Sequence, residues 1–119
     1  MVGCSTTQSS NDVIKGTVIY RERIALTPSA YLEVILADVS LADAPYIILN
    51  KKIISPLGQT PIFFEINYDR RQILENHSYS VMAKIVDHGS LVFINDQAYT
   101  VITKNQSKEV SMVLRRVSN

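Results

Sequence analysis

From residue 14 onward the chain runs in short stretches rich in Val, Ile, Leu, Tyr and Phe, separated by Pro, Gly, Asn, Asp and Ser. That is the pattern of strands and turns. The clearest stretch is "YLEVILADVS", residues 31–40, in which Leu32, Val34 and Leu36 face one way and Tyr31, Glu33, Ile35 and Ala37 the other. The two-residue period, the β-branched content and the prolines on both sides favour a strand over a helix. In "IFFEINY" the set Ile62, Phe64, Ile66 and Tyr68 forms the apolar face, with Phe63, Glu65 and Asn67 opposite. "SYSVMAKIVD" places Tyr79, Val81, Ala83 and Ile85 on one side, and the closing run "KEVSMVLRRV" alternates Val110, Met112 and Leu114 with polar neighbours. "IKGTVIY" makes the first strand, and Gly16 inside it marks a bulge or the close approach of another backbone.

The remaining stretches fill the frame. "YIILNKKIIS" reads as one strand or two short ones, and "PLGQTP" as a connection because Pro56, Gly58 and Pro61 interrupt it. "DRRQILENH" is a helical turn or a crossover. "HGS" turns the chain into "LVFIN", and "DQA" turns it again into "YTVIT". About eight short strands at intervals of roughly ten residues favour an all-β, antiparallel, two-sheet β-sandwich. Parallel pairing is not expected, because it needs crossover helices that this chain has no room for.

Before the strands the pattern is absent. Residues 1–12, "MVGCSTTQSSND", hold the single cysteine, Cys4, followed by polar residues without period. Residues 1–12 are therefore expected to be a tether and residues 13–119 the folded domain. No apolar run approaches the roughly 18 residues of a membrane-spanning helix. Twelve basic and eleven acidic residues leave a net charge of +1 with the signs interspersed, so nucleic acid is not an expected partner.

Candidate chemistry is sparse. Asp87, His88 and Ser90 could supply an Asp-His pair with a nucleophile, but "DHGS" sits where a hairpin turn is needed and its residues suit that geometry. His77 and His88 have no third ligand at metal-binding spacing, and no cofactor loop is present, so neither metal nor cofactor is expected. Asp38 and Asp43 bracket the loop "DVSLADAP", and with Ser40, Arg21 and Arg23 they could form a small-molecule or hydrolytic site. Side chains of this kind more often hydrogen-bond their own loop, or pair with nearby arginines inside the domain.

The stretch "GTVIYRERIALTPSAYLEVILADVSLADAP" resembles the opening of the YbaY/YscW-like bacterial lipoprotein family, and "FFEINYD" and "HSYSVMAKIVDHGSLVFINDQAYTVIT" resemble its central and penultimate strands. Thr27 departs from the pattern, where relatives often carry a second proline. The resemblance implies an immunoglobulin-like β-sandwich of seven or eight strands without enzymatic activity. It implies a lipoprotein of the bacterial envelope, one branch of which comprises pilotins that bind and escort secretins. "VGC" then reads as the end of a lipobox and Cys4 as the lipid-attachment site, in a chain cut just before that cysteine, since no signal peptide precedes it. Ser5 after it points to the periplasmic face of the outer membrane. The expected partners are the membrane, through acylated Cys4, and a secretin or other envelope protein.

Overall fold

The computed structural model describes residues 11–22, 26–41, 45–55, 57–95, 97–103 and 108–117. They form eight strands: β1 (Asn11–Tyr20), β2 (Tyr31–Asp38), β3 (Ile47–Ile54), β4 (Ile62–Asp69), β5 (Tyr79–Asp87), β6 (Ser90–Asn95), β7 (Tyr99–Val101) and β8 (Glu109–Arg116). A three-residue 3-10 turn, Arg70–Gln72, stands where "DRRQILENH" left a helical turn or a crossover open. The Asp69 side chain caps it by accepting from the Arg71 N–H at 2.9 Å.

The alternation read from the sequence places the core. Leu32, Val34 and Leu36 of β2, Ile62, Phe64, Ile66 and Tyr68 of β4, Tyr79, Val81, Ala83 and Ile85 of β5, and Met112 and Leu114 of β8 are all buried. Burying such side chains is the main favourable term in folding, at about 1.5–3 kcal/mol for each Val, Leu, Ile or Phe. Buried tyrosines bring their hydroxyls to partners at the rim. The Tyr79 hydroxyl accepts from the Leu74 N–H at 2.9 Å, and the half-buried Tyr99 hydroxyl accepts from the Val113 N–H at 3.0 Å.

Two features depart from the expected antiparallel pair of sheets. The strands hydrogen-bond along one continuous path, β3-β2-β5-β6-β8-β1-β4, with β7 beside β5. The sheet bends instead of dividing because β6 serves both halves: Lys84–Asp87 of β5 pair with it on one side, and Leu114–Arg116 of β8 on the other. A bulge between Ile85 and Val86 gives the local twist that turns this corner. The second departure is that β1 and β8 pair in parallel, Lys15–Tyr20 against Glu109–Leu114. A parallel pair needs a crossover, and here the whole intervening domain is that crossover, so no helix is required. The result is a nearly closed, barrel-like sheet.

Gly16 and the "DHGS" turn explain two local choices. A Cβ at Gly16 would stand 2.6 Å from Phe64 Cζ and 2.7 Å from the Val110 carbonyl oxygen, so close backbone approach is what the glycine permits. His88 (φ 52°) and Gly89 (φ 77°) both adopt left-handed backbone angles and join β5 to β6, as a two-residue hairpin with matching twist requires.

Candidate functional site

The loop singled out in the sequence is built around Asp38 at the end of β2. Its carboxylate accepts from the Ser40 N–H at 3.0 Å, the Ser40 hydroxyl at 2.6 Å and the His77 ring at Nδ1, also 2.6 Å. Burial pushes the Asp38 carboxyl up, but hydrogen bonds from Ser40 and His77 outweigh it and hold the group below its ordinary value. Ser40 Oγ accepts from the Ser78 N–H at 2.8 Å, and the Thr103 hydroxyl donates to the His77 carbonyl at 2.6 Å. These contacts stitch the β2–β3 loop to the approach to β5. The Ser40 hydroxyl is engaged with Asp38, whereas a nucleophile would have to be oriented by the imidazole. The cluster is a structural clasp.

The other residues of that candidate site are not gathered with Asp38. Arg21 follows the last residue of β1, beside Arg115, at the opposite end of the barrel from Asp38. Asp38 therefore has His77 for a partner, and Arg21 is not beside it. Asp43 and Arg23 lie outside the described residues, as does Cys4 with the rest of 1–10. Asp87 accepts from the Thr27 N–H at 3.0 Å, the Ser29 hydroxyl at 3.1 Å and the Thr27 hydroxyl, which ties the β1–β2 connection to the β5–β6 hairpin. The Asp87-His88-Ser90 triplet is thus occupied in a turn. Among the described residues, no three His, Cys, Asp or Glu side chains gather in a way that could hold a metal ion.

A concavity lies elsewhere, where the barrel fails to close. Among the described residues, β3 and β4 end the strand path, each with one strand neighbour. At one point they are bridged, by Asn50 Nδ2 donating to the Asn67 carbonyl at 2.6 Å. Further along, the two strands diverge into a groove of about 650 Å³ that reaches across β1 to β8, lined by Lys52 and Ile54 of β3, Phe63, Phe64 and Glu65 of β4, and neighbours on β1 and β8. Phe63 is 73% exposed there. An aromatic ring left in water beside two half-paired strand edges offers both apolar area and backbone donors and acceptors. Lys15, Lys52, Glu65 and Glu109 surround this floor with both signs of charge. Such a groove suits an amphipathic peptide segment, by added strand or by apolar contact.

Sequence reading missed both His77 as the partner of Asp38 and the groove itself. The one local signal for the groove was Phe63, an aromatic residue on the otherwise polar parity of β4.

Comparison with known proteins adds a family to this geometry. The family model for the type III secretion system lipoprotein chaperone (YscW) matches residues 9–114. The uncharacterized lipoprotein YbaY of Escherichia coli (strain K12) is 36% identical over 96 residues, which make up 80% of this chain and 50% of the relative, so the chain spans about half the length of that protein. The solved structure of an alternative pilotin from the type II secretion system of Vibrio cholerae superposes with a TM-score of 0.86 at 45% identity, over 92% of this chain and 99% of that one. On this match across nearly all of its barrel, the chain belongs to the YscW family of secretion-system lipoprotein chaperones.

Proposed function

We propose that the chain is a periplasmic lipoprotein of the outer membrane, anchored through acylated Cys4, that acts as a pilotin-like binding module without catalysis. It holds a segment of a secretin or another envelope protein in the groove between β3 and β4. The observation that carries this reading is the unclosed seam, where exposed Phe63 stands beside β3 and β4, the two strands that end the hydrogen-bonded path among the described residues. The likeness to a pilotin supports the partner class, and the family supports the anchor. The alternative, a small-molecule or hydrolytic site on the Asp38–Asp43 loop, has less support, since Asp38 and Ser40 are bound to each other and to His77 and Ser78.

The test compares the acylated protein with its Phe63→Glu variant in detergent-solubilised envelopes. Phe63 is exposed, so the substitution should leave stability within about 0.5 kcal/mol. Recovery of a secretin by the parent and its loss in the variant is the expected result. Equal recovery by both would remove the groove from the account, and recovery of no envelope protein by either would refute the chaperone reading. Intact mass of the mature protein reports acylation, expected on Cys4 and absent from Cys4→Ser.

A further inference from the structure

Strand register puts the beginnings of β1, β3, β5 and β8 and the ends of β2, β4 and β7 at one end of the barrel. The segment bearing Cys4 enters at this end, through Asn11. The same end carries Leu41 in the β2–β3 connection, Ile47 and Ile48 at the start of β3, and Leu74 before β5, all large and exposed; Leu41 is 66% and Ile47 62% accessible. Four such side chains crowd this end, whereas the apolar groove residues Ile54 and Phe63 lie toward the opposite end.

We infer that this rim is a membrane-contact face, and that its occupant is the phospholipid surface itself. The inference rests on the reading of Cys4 as the anchor. Six residues separate Cys4 from Asn11, and the seven steps between them, at about 3.3–3.6 Å each, reach at most roughly 25 Å. A chain moored by Cys4 therefore keeps this end within that distance of the lipid. Exposed Leu and Ile are side chains that enter the boundary between headgroups and acyl chains. Most of the described carboxylates at this end are engaged: Asp12 pairs with Lys108 and Asp69 with Arg71, and Asp38 accepts hydrogen bonds from Ser40 and His77. Contact is consequently apolar in origin, and the module sits end-on with the Ile54 and Phe63 side of its groove turned away from the bilayer.

The chain contains no tryptophan and one cysteine, which makes the test direct. The full chain is coupled through Cys4 to a maleimide-headgroup lipid in vesicles of phosphatidylethanolamine and phosphatidylglycerol with brominated acyl chains. Single reporters are placed at Ile47→Trp, Leu41→Trp and Phe63→Trp. Burial at the ~5–10 Å depth of interfacial side chains should cost the first two reporters about half of their emission, and leave Phe63→Trp unquenched. Raising the salt concentration should leave the quenching unchanged. Equal emission from all three reporters overturns the inference and assigns the rim to a protein partner, and quenching abolished by salt overturns its apolar origin. Two rim reporters guard against misfolding of one. The enforced linkage keeps the result independent of whether cells acylate Cys4, which intact mass reports separately.

Discussion

Replacing Gly16 by alanine sets two physical effects against each other. The unfolded chain of the alanine variant has fewer conformations to lose, which alone stabilises the fold by about 0.4–1 kcal/mol wherever the backbone angles suit alanine. Opposing this, the new Cβ would lie 2.6 Å from Phe64 Cζ, 2.7 Å from Val110 Cγ2 and 2.7 Å from the Val110 carbonyl oxygen. Carbon atoms in contact prefer about 3.5–4.0 Å, so the overlap with each is near 1 Å. The Phe64 ring can tilt, but Val110 belongs to the parallel ladder between β1 and β8, and its carbonyl retreats only by lengthening ladder hydrogen bonds. Overpacking of this kind costs about 1–3 kcal/mol, so the net expectation is a destabilisation of about 1–2 kcal/mol. Urea unfolding should show a lower midpoint at unchanged slope, and thermal unfolding a fall of about 3–10 °C. Phe64→Leu in the Gly16→Ala background should restore part of the loss, seen as a favourable coupling of about 0.5–1 kcal/mol in a double-mutant cycle. Gly16→Ala as stable as the parent, or more stable, would show that the β1–β8 approach is looser than described and would refute the argument.

Other glycines separate the same effects. Gly89 faces open space but has φ 77°, so Gly89→Ala should cost about 1 kcal/mol through backbone strain alone, whereas Gly58, open and without that angle, should gain about 0.4–1 kcal/mol as alanine in the same urea titration. Removing the seam bridge by Asn50→Ala should cost about 0.5–1.5 kcal/mol and speed amide exchange along β3 and β4; unchanged exchange would mean that the seam is held by packing alone. Three carboxyls lie below their ordinary value of 3.8: Asp12 chiefly through its hydrogen bond from Lys108, Asp38 because hydrogen bonds from Ser40 and His77 overcome its burial, and Asp87 chiefly through the Thr27 hydroxyl. Because their folded values are depressed, their contribution is present above the unfolded carboxyl range and lost as pH falls below about 4, where the unfolded chain binds more protons. Stability should hold down to about pH 5 and fall below 4, more shallowly in Asp87→Asn; an unchanged acid slope in that variant would remove Asp87 from the account.

The core faces of β2, β4 and β5 were legible because each strand is buried mainly on one side, and a two-residue period then records burial directly; Ala37, Ser80 and Val86, buried on the other parity, did not show in it. The "DHGS" hairpin was legible because its geometry is local, made by His88 and Gly89 themselves. Gly16 showed that something approached closely, though not that Phe64 and Val110 did. The Asp38 clasp was half legible: the loop contact with Ser40 spans two residues, whereas His77 arrives from 39 residues away.

By itself, then, the sequence determined which positions form strands, which of their faces are apolar, and, through its order of motifs, the lipoprotein family. Tertiary structure decided how the strands join: one bent path in place of two sheets, a parallel β1–β8 pair, and a seam that closes at Asn50 and Asn67 and opens beside Phe63. Periodicity reports which way a side chain points relative to its own backbone, while strand pairing is a hydrogen-bonding choice between distant backbones that carry the same groups whatever their residues. The groove, and the apolar rim at the tether end, arise from that choice.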